Sequence, residues 1–326
     1  MRVTFFGVSV ITCVIFSIFS IAILAPTTAR CTDEEPLAVL MSCKGDITVT
    51  TASGTAVPGS FGYKLQAGDV VTTGTGASAE ILFKDGNWIA VGAGSSMQIK
   101  APREAAPSTE PAREENFQVV QNFLKLKDSE GTSSIAGLRS GGKSTEIVLE
   151  SPCQTKIRER APRFSWKTAD PELSLSLTVY DENGVFWKAD VEQGADSLRY
   201  PPDAPALESG TTYSWTVETS DPLIFPPLRS QAAFFEILEQ KEAGQLDQAL
   251  NSLTARRNPG EATLYLCRAS LYFDHNLFED AIKETRMAIE HDPDNMSLHA
   301  ILARLYAETG RNEAALNEYN LILERR

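Results

Sequence analysis

Histidine is nearly missing from this chain. Only His275, His291 and His299 occur in its 326 residues, and all three lie near the C-terminal end. None belongs to an HExxH pattern or a ligand cluster, and no GxSxG elbow occurs, so the usual zinc-hydrolase and serine-nucleophile chemistries have no residues to work with. Cysteine is also scarce, with five residues and no CxxC spacing, which removes the common redox and metal-binding motifs. Basic charge is in deficit: 30 Lys and Arg against 43 Asp and Glu leave a net charge of −13. A surface of that sign repels phosphate backbones and anionic lipid, so nucleic acid is not an expected partner. No catalytic, cofactor-binding or metal-binding residue is expected, and the chain is not expected to be an enzyme. Its many carboxylates have solvation as their default role.

Hydrophobic residues make up 42% of the chain and aromatics 8%, enough for real cores. The longest apolar run comes first. After Met1 and Arg2, positions 5–25 are almost wholly apolar, and small residues follow at Thr27, Thr28 and Ala29. A basic residue, an apolar stretch and small residues fit a secretory signal at residues 1–29, yet about 20 apolar residues also suffice for a membrane anchor. Either way the remainder is expected outside the cytoplasm, in the periplasm or cell envelope. Lipidation at Cys31 is disfavoured because Arg30 stands where a small residue is needed. An oxidising compartment would permit disulfides among Cys31, Cys43, Cys153 and Cys267, and four cysteines allow three pairings. Cys43 with Cys153 is the pair to expect if one forms, while Cys267 reads as helix packing.

Residues 37–100 read as short strands punctuated by glycine. Ile47 and Val49 alternate, as do Ala79, Ile81 and Phe83, and Asp85-Gly86 supplies the chemistry of a tight hairpin turn. The order and spacing of Cys43-Lys44-Gly45-Asp46-Ile47, Leu65-Gln66-Ala67-Gly68-Asp69-Val70, Ala77–Phe83 and Gly94-Ser95-Ser96 resemble the FecR-type domain over some 60 residues. Named members of that family pass signals to a cytoplasmic sigma factor through an N-terminal cytoplasmic region. Here the apolar segment starts within a few residues of Met1, so direct sigma-factor binding is not implied.

Residues 101–145 read as a linker, rich in Pro, Ala and Glu to Arg113, with one amphipathic helix expected over Glu114–Lys127. Gly137, Gly142, Lys143 and Ser144 satisfy the GxxxxGK[ST] phosphate-loop pattern. No buried strand precedes them, and β-branched residues follow in place of a helix, so nucleotide binding is not expected.

Residues 146–228 read as a β-sandwich. Leu173, Leu175, Leu177 and Val179 keep a period of two, and Asp181–Gly184 makes a turn. Leu207–Val217, with Tyr213 and Trp215, resembles the fibronectin type III or immunoglobulin segment that contains a tyrosine corner. Trp166, Trp187 and Trp215 are expected in its core.

Residues 230–326 turn helical, with internal repetition. Ala269, Tyr272 and Ala281 recur 34 residues on as Ala303, Tyr306 and Ala315; Ala288 and Pro293 complete the first of these units, Gly310 and Tyr319 belong to the second, and a less regular unit holds Gly244 and Ala249. This region resembles tetratricopeptide repeats, whose stacked hairpins leave a concave groove. The resemblance implies groove-facing residues at Phe234, Leu238 and Lys241, then Thr263, Leu266, Ser270 and Phe273, then Ser297, Ala300 and Arg304. No polar capping helix follows the last repeat, so a partner or self-association is expected there.

The expected whole is a multidomain β plus α protein: a FecR-like β-domain, a β-sandwich and C-terminal α-helical tetratricopeptide-type repeats. Its expected role is an extracytoplasmic scaffold or adaptor that holds a protein partner in the repeat groove. A FecR-type envelope signal transducer and a cell-wall glycan-binding protein are the alternatives.

Overall fold

The structure, a computed structural model, describes residues 35–100, 112–128, 147–254 and 259–325. The apolar leader with Cys13 and Cys31, most of the proline-rich stretch and the Gly137–Ser144 loop lie outside them. No helix among the described residues is long and apolar enough to cross a membrane.

The N-terminal β-domain holds β1 (Ala38–Lys44), β2 (Ile47–Thr50), β3 (Ala56–Pro58), β4 (Lys64–Leu65), β5 (Val70–Thr73), β6 (Ser78–Phe83), β7 (Trp88–Val91) and β8 (Ser96–Gln98). They form two antiparallel four-stranded sheets, ordered β4-β1-β6-β7 and β3-β2-β5-β8. Period-two alternation turns Ile47, Val49, Val71, Ala79 and Ile81 into the core between them. The Asp85-Gly86 turn joins β6 to β7 as its residues predict, with Gly86 at φ +75° and the Asp85 carboxylate accepting from the Asn87 amide. Buried Asp69 ties two loops together, its oxygens accepting from the amides of Ala52 at 3.0 Å and Gln66 at 2.8 Å.

Strand β1 departs from alternation. Ala38, Val39, Leu40 and Met41 are all buried, so the strand is covered on both faces. The reason is α1 (Ala112–Leu124), which continues as one 3₁₀ turn at Lys125–Asp128. Its exposed stripe is narrow, at Glu114, Gln118, Asn122 and Lys125, whereas Phe117, Val120, Phe123 and Leu124 are buried. These side chains share one apolar cluster with Val39, Met41 and Leu82 of the β-domain and with Leu266, Leu271 and Ile301 of the C-terminal helices. The middle of the expected linker is therefore core. Its amphipathic pattern is real, and what lies on either side of the apolar face is set by tertiary packing.

Residues 147–237 form an immunoglobulin-like sandwich: β9 (Val148–Ser151), β10 (Thr155–Ile157), β11 (Arg163–Lys167), β12 (Leu175–Asp181), β13 (Gly184–Val191), β14 (Ser197–Arg199), β15 (Thr212–Thr219) and β16 (Ala233–Ile237). A sheet ordered β10-β16-β15-β12-β13 faces one ordered β14-β11-β9. The tyrosine corner is present, with the Tyr213 hydroxyl accepting from the Glu208 amide at 3.0 Å. Trp166 and Trp215 fill the core, and Trp215 donates to the Pro152 carbonyl at 2.8 Å.

The sandwich runs past the expected boundary at 228. Residues 233–237 read Ala-Phe-Phe-Glu-Ile, in which Ala233, Phe235 and Ile237 point inward with period two, and β16 pairs with both β10 and β15. Two Phe and an Ile suit a strand. Phe234 is accordingly a strand residue and not a member of a groove-lining helix.

The helical region comprises α2 (Gln240–Thr254), α3 (Glu261–Asp274), α4 (Phe278–His291), α5 (Met296–Glu308) and α6 (Asn312–Glu324). Short connections fold α3 onto α4 and α5 onto α6. Ala269, Ala281, Ala288, Ala303 and Ala315 are all 0% exposed, so the small residues of the repeat pattern do sit where helices cross closely. At the N-terminus of α3, the Gly260 amide donates to the Glu80 carboxylate of β6 at 2.9 Å. A Cβ on Gly260 would stand 2.4 Å from that oxygen, so glycine permits the approach.

Removing the α1 anchor should loosen both of its neighbours. Phe123→Ala is expected to destabilise the chain by about 3–5 kcal/mol, and hydrogen exchange should rise in both β1 and α3. Protection lost from α1 alone would contradict the shared core.

Candidate functional site

The sequence points to a set of partner-binding residues in the helical region, and the structure shows where each of them lies. Leu266, Ser270 and Thr263 are 2%, 0% and 0% exposed, and Leu238 is buried in the same cluster. Phe273 meets the Phe123 ring with centroids 5.5 Å apart. Helix α1 packs on α3, and its 3₁₀ extension packs on α5. Of the expected partner-binding residues, only Lys241 and Phe234 are exposed, Arg304 being half-buried and paired with Glu308 at 2.7 Å. Leu238, Leu266 and Phe273 are thus packed in the cluster that α1 completes. The amphipathic helix expected over Glu114–Lys127 has its apolar face at Phe117, Val120, Phe123 and Leu124, and what sequence reasoning missed is the surface that this face covers.

A second junction joins the sandwich to the helices. Asn276, in the turn between α3 and α4, adopts φ +58° and offers its carbonyl to the Lys156 amide at 2.9 Å and the Thr155 hydroxyl at 3.1 Å. The same hydroxyl accepts from the Phe278 amide at 3.0 Å. Lys156 pairs with Glu242 at 2.9 Å and Glu236 at 3.1 Å, and Arg158 pairs with Asp247 at 2.6 Å. Arg311 donates to the Glu150 carbonyl at 2.9 Å while pairing with Glu279. Beside these contacts lies an open cleft of about 260 Å³ whose walls include Gln154, Thr212, Phe234, Asn276 and Phe278. Phe234 is 50% exposed there.

A third feature is the loop from β15 to β16. Leu223 and Phe225 are 90% and 92% exposed at its tip. The Asp221 carboxylate accepts from the Leu223 amide at 2.8 Å, and Pro222, Pro226 and Pro227 restrict the backbone. This apolar tip escaped a reading by periodicity, because a loop has no period.

Cys43, Cys153 and Cys267 are free thiols, so the Cys43–Cys153 pair is not made. Cys43 lies near Asp292, whereas Cys153 lies near Arg311 and Glu279. Burial pushes both thiols up to about 12, and Cys267 is raised as well, which suppresses the reactive thiolate. The histidines do not converge: His291 stacks on Tyr265 and meets Glu261, and His299 meets Glu318 at 2.7 Å. Among the described residues, no group of three or more His, Cys, Asp or Glu is placed to hold a metal.

Comparison with known proteins reaches the sandwich first. A family model for the Rha78A-like N-terminal immunoglobulin domain matches residues 150–237. That match includes β16, in agreement with the strand pairing. Comparison with curated proteins gives no match. Among solved structures, a cell surface anchoring domain is 25% identical over 20% of this chain and 86% of its own, with a TM-score of 0.20. Dimeric latent PorU from Porphyromonas gingivalis is 12% identical, covering 66% of this chain and 21% of PorU, with a TM-score of 0.24. A multi-domain immunophilin from Arabidopsis thaliana is 8% identical over 55% of this chain and all of its own, at 0.17. Superpositions this loose carry no argument about function.

Burial raises the acids of α4. Glu279, Asp280 and Glu284 all sit above the usual carboxylate range, each chiefly through desolvation and each partly offset by a nearby cation, Arg311, Arg158 and Arg268 respectively. One Glu284 oxygen is buried without a partner. A raised folded-state pKa gives stability that is complete below the unfolded pKa and lost as pH rises through the folded one. Wild type should therefore gain thermal midpoint relative to Glu284→Gln as pH falls from 7 toward 4.5. A gap that stays flat or moves the other way would show that Glu284 is not penalised by its burial.

Proposed function

We propose that the chain is a non-enzymatic scaffold or adaptor outside the cytoplasm, which holds its modules at fixed angles and presents them to a protein partner. The resemblance of residues 37–100 to the FecR-type domain and of the helical region to tetratricopeptide repeats supports this role. Glycine-punctuated strands in two small sheets suit the first, and alanines at the helix crossings suit the second. The apolar leader supports export to the periplasm or cell envelope.

The observation that carries the proposal is α1. A repeat groove ordinarily lends its concave face to another polypeptide, and here it grips a segment of its own chain. That grip fastens the β-domain to the helices, as the Thr155 and Arg311 contacts fasten the sandwich. The product is a rigid frame, and a frame of this kind acts by placing surfaces. The partner then meets an outward surface, for which the Leu223–Phe225 loop is the best candidate. Exposed apolar side chains on a stiff loop are a common mark of protein contact.

A photo-crosslinking residue placed at position 225 or 241 in intact cells tests this. Crosslinks to another protein are expected from 225, to disappear when Leu223→Ser is added, and not from the groove rim at 241. Crosslinks from 241 alone would restore the groove as the partner site. None from either, or a cytoplasmic location, would remove the scaffold role.

A further inference from the structure

The cleft between the sandwich and the helices is a better-built place than its small size suggests. Among the described residues, only Gln154 and Asn276 combine a side chain beyond glycine with a positive φ, at +50° and +58°, and both line it. Asn276 owes its positive φ to its place just past the C-terminus of α3, where its own amide donates to the Phe273 carbonyl and the Leu277 amide to that of Tyr272. The holding groups around both residues are explicit. The Gln154 side-chain oxygen accepts from the Phe234 amide at 3.1 Å, and Thr155 and Lys156 bind the Asn276 carbonyl. The floor is thereby set before any ligand arrives.

The chemistry of the walls narrows the ligand. Phe234 projects from the outer face of β16 with half its surface open, and Phe278 stands across from it, half-buried. Around the open ring stand the side-chain amide of Asn276, the NH₂ of Gln154 and the hydroxyl of Thr212, all without a protein partner among the described residues. The one cation, Lys156, is already flanked by Glu236 and Glu242. An anion would therefore meet a site with no spare positive charge.

An extended peptide would need a free sheet edge. The outer edge of β10 is spent on the Asn276 turn through the Lys156 amide. A helix would need an apolar groove several turns long, and an open cleft of about 260 Å³ is too short to be one. A small, uncharged ligand with one apolar face and several hydroxyls remains.

We propose that this cleft binds the ring of an uncharged saccharide, with the apolar face of the sugar on Phe234 and its hydroxyls meeting Asn276, Gln154 and Thr212. This goes beyond the scaffold role and does not rest on it. A sugar ring presents C–H bonds on one face and hydroxyls around its rim. An exposed aromatic plane ringed by neutral donors and acceptors matches both.

The test uses the full exported chain on an array of uncharged and acidic oligosaccharides, followed by titration of the strongest uncharged binder. Binding to at least one uncharged oligosaccharide is expected. Phe234→Ala should weaken it at least tenfold and Phe234→Tyr should largely preserve it, with the thermal midpoint little changed because the ring is half exposed. Thr212→Ala, on an exposed strand position, should weaken it independently. Leu223→Ala, in the β15–β16 loop, should leave it unchanged, which separates this site from the partner surface. No binding to uncharged glycans, binding only to acidic ones, or affinity that survives both Phe234→Ala and Thr212→Ala would overturn the proposal. Displayed peptides captured at the cleft in place of sugars would overturn it too.

Discussion

The burial of Phe123 is the contact on which the rest of this architecture depends. Its ring is wholly enclosed, resting on Phe273 within a cluster that also holds Met41 and Leu82 of the β-domain. Neither neighbouring module completes its own core without α1. Strand β1 has an apolar outer face at Val39 and Met41, and α3 has one at Leu266 and Phe273. Each fully buried side chain of that size contributes about 1.5–3 kcal/mol, so several on one short helix offset much of the cost of ordering it. The same apolar surface that would otherwise need a partner is covered from within.

The second junction works differently. Between sandwich and helices the links are directional: the Asn276 carbonyl to Thr155 and Lys156, the Phe278 amide to the Thr155 hydroxyl, and Arg311 between Glu279 and the Glu150 carbonyl. Apolar packing fastens, while hydrogen bonds of this kind fix an angle. Together they fix how the sandwich meets the helices. They also explain why a cleft occurs at that border, where the Gln154 side chain holds the Phe234 amide and the Asn276 carbonyl is held by Thr155 and Lys156.

Much of this was legible in the residues. The Leu175–Val179 alternation, the Asp85-Gly86 turn, Tyr213 of the tyrosine corner and the crossing alanines all depend on local spacing, and spacing survives in sequence. Three features did not survive there. Residues 233–237 read with the helices that follow them, although two Phe and an Ile suit a strand and pairing with β10 and β15 makes them one. The apolar face of α1 is visible, whereas the surface it covers is not, since that is a matter of distance in space across more than 140 residues of chain to Leu266 and Phe273. The Gln154–Asn276 cleft is assembled from β10, β15, β16 and the α3–α4 turn, elements of two modules with no motif in any one of them. Phe234 was singled out for the wrong reason: it stands exposed on a strand, not on a helix of the groove.

Native-state hydrogen exchange of the full chain tests the central claim most directly. If α1 is the shared core of β-domain and helices, the amides of residues 117–124 should exchange as slowly as those of 263–273, and both should open in one cooperative step. Rapid exchange in 117–124 while the α3 amides stay protected would show a helix that merely rests on the groove, and the rigid frame would have to be given up.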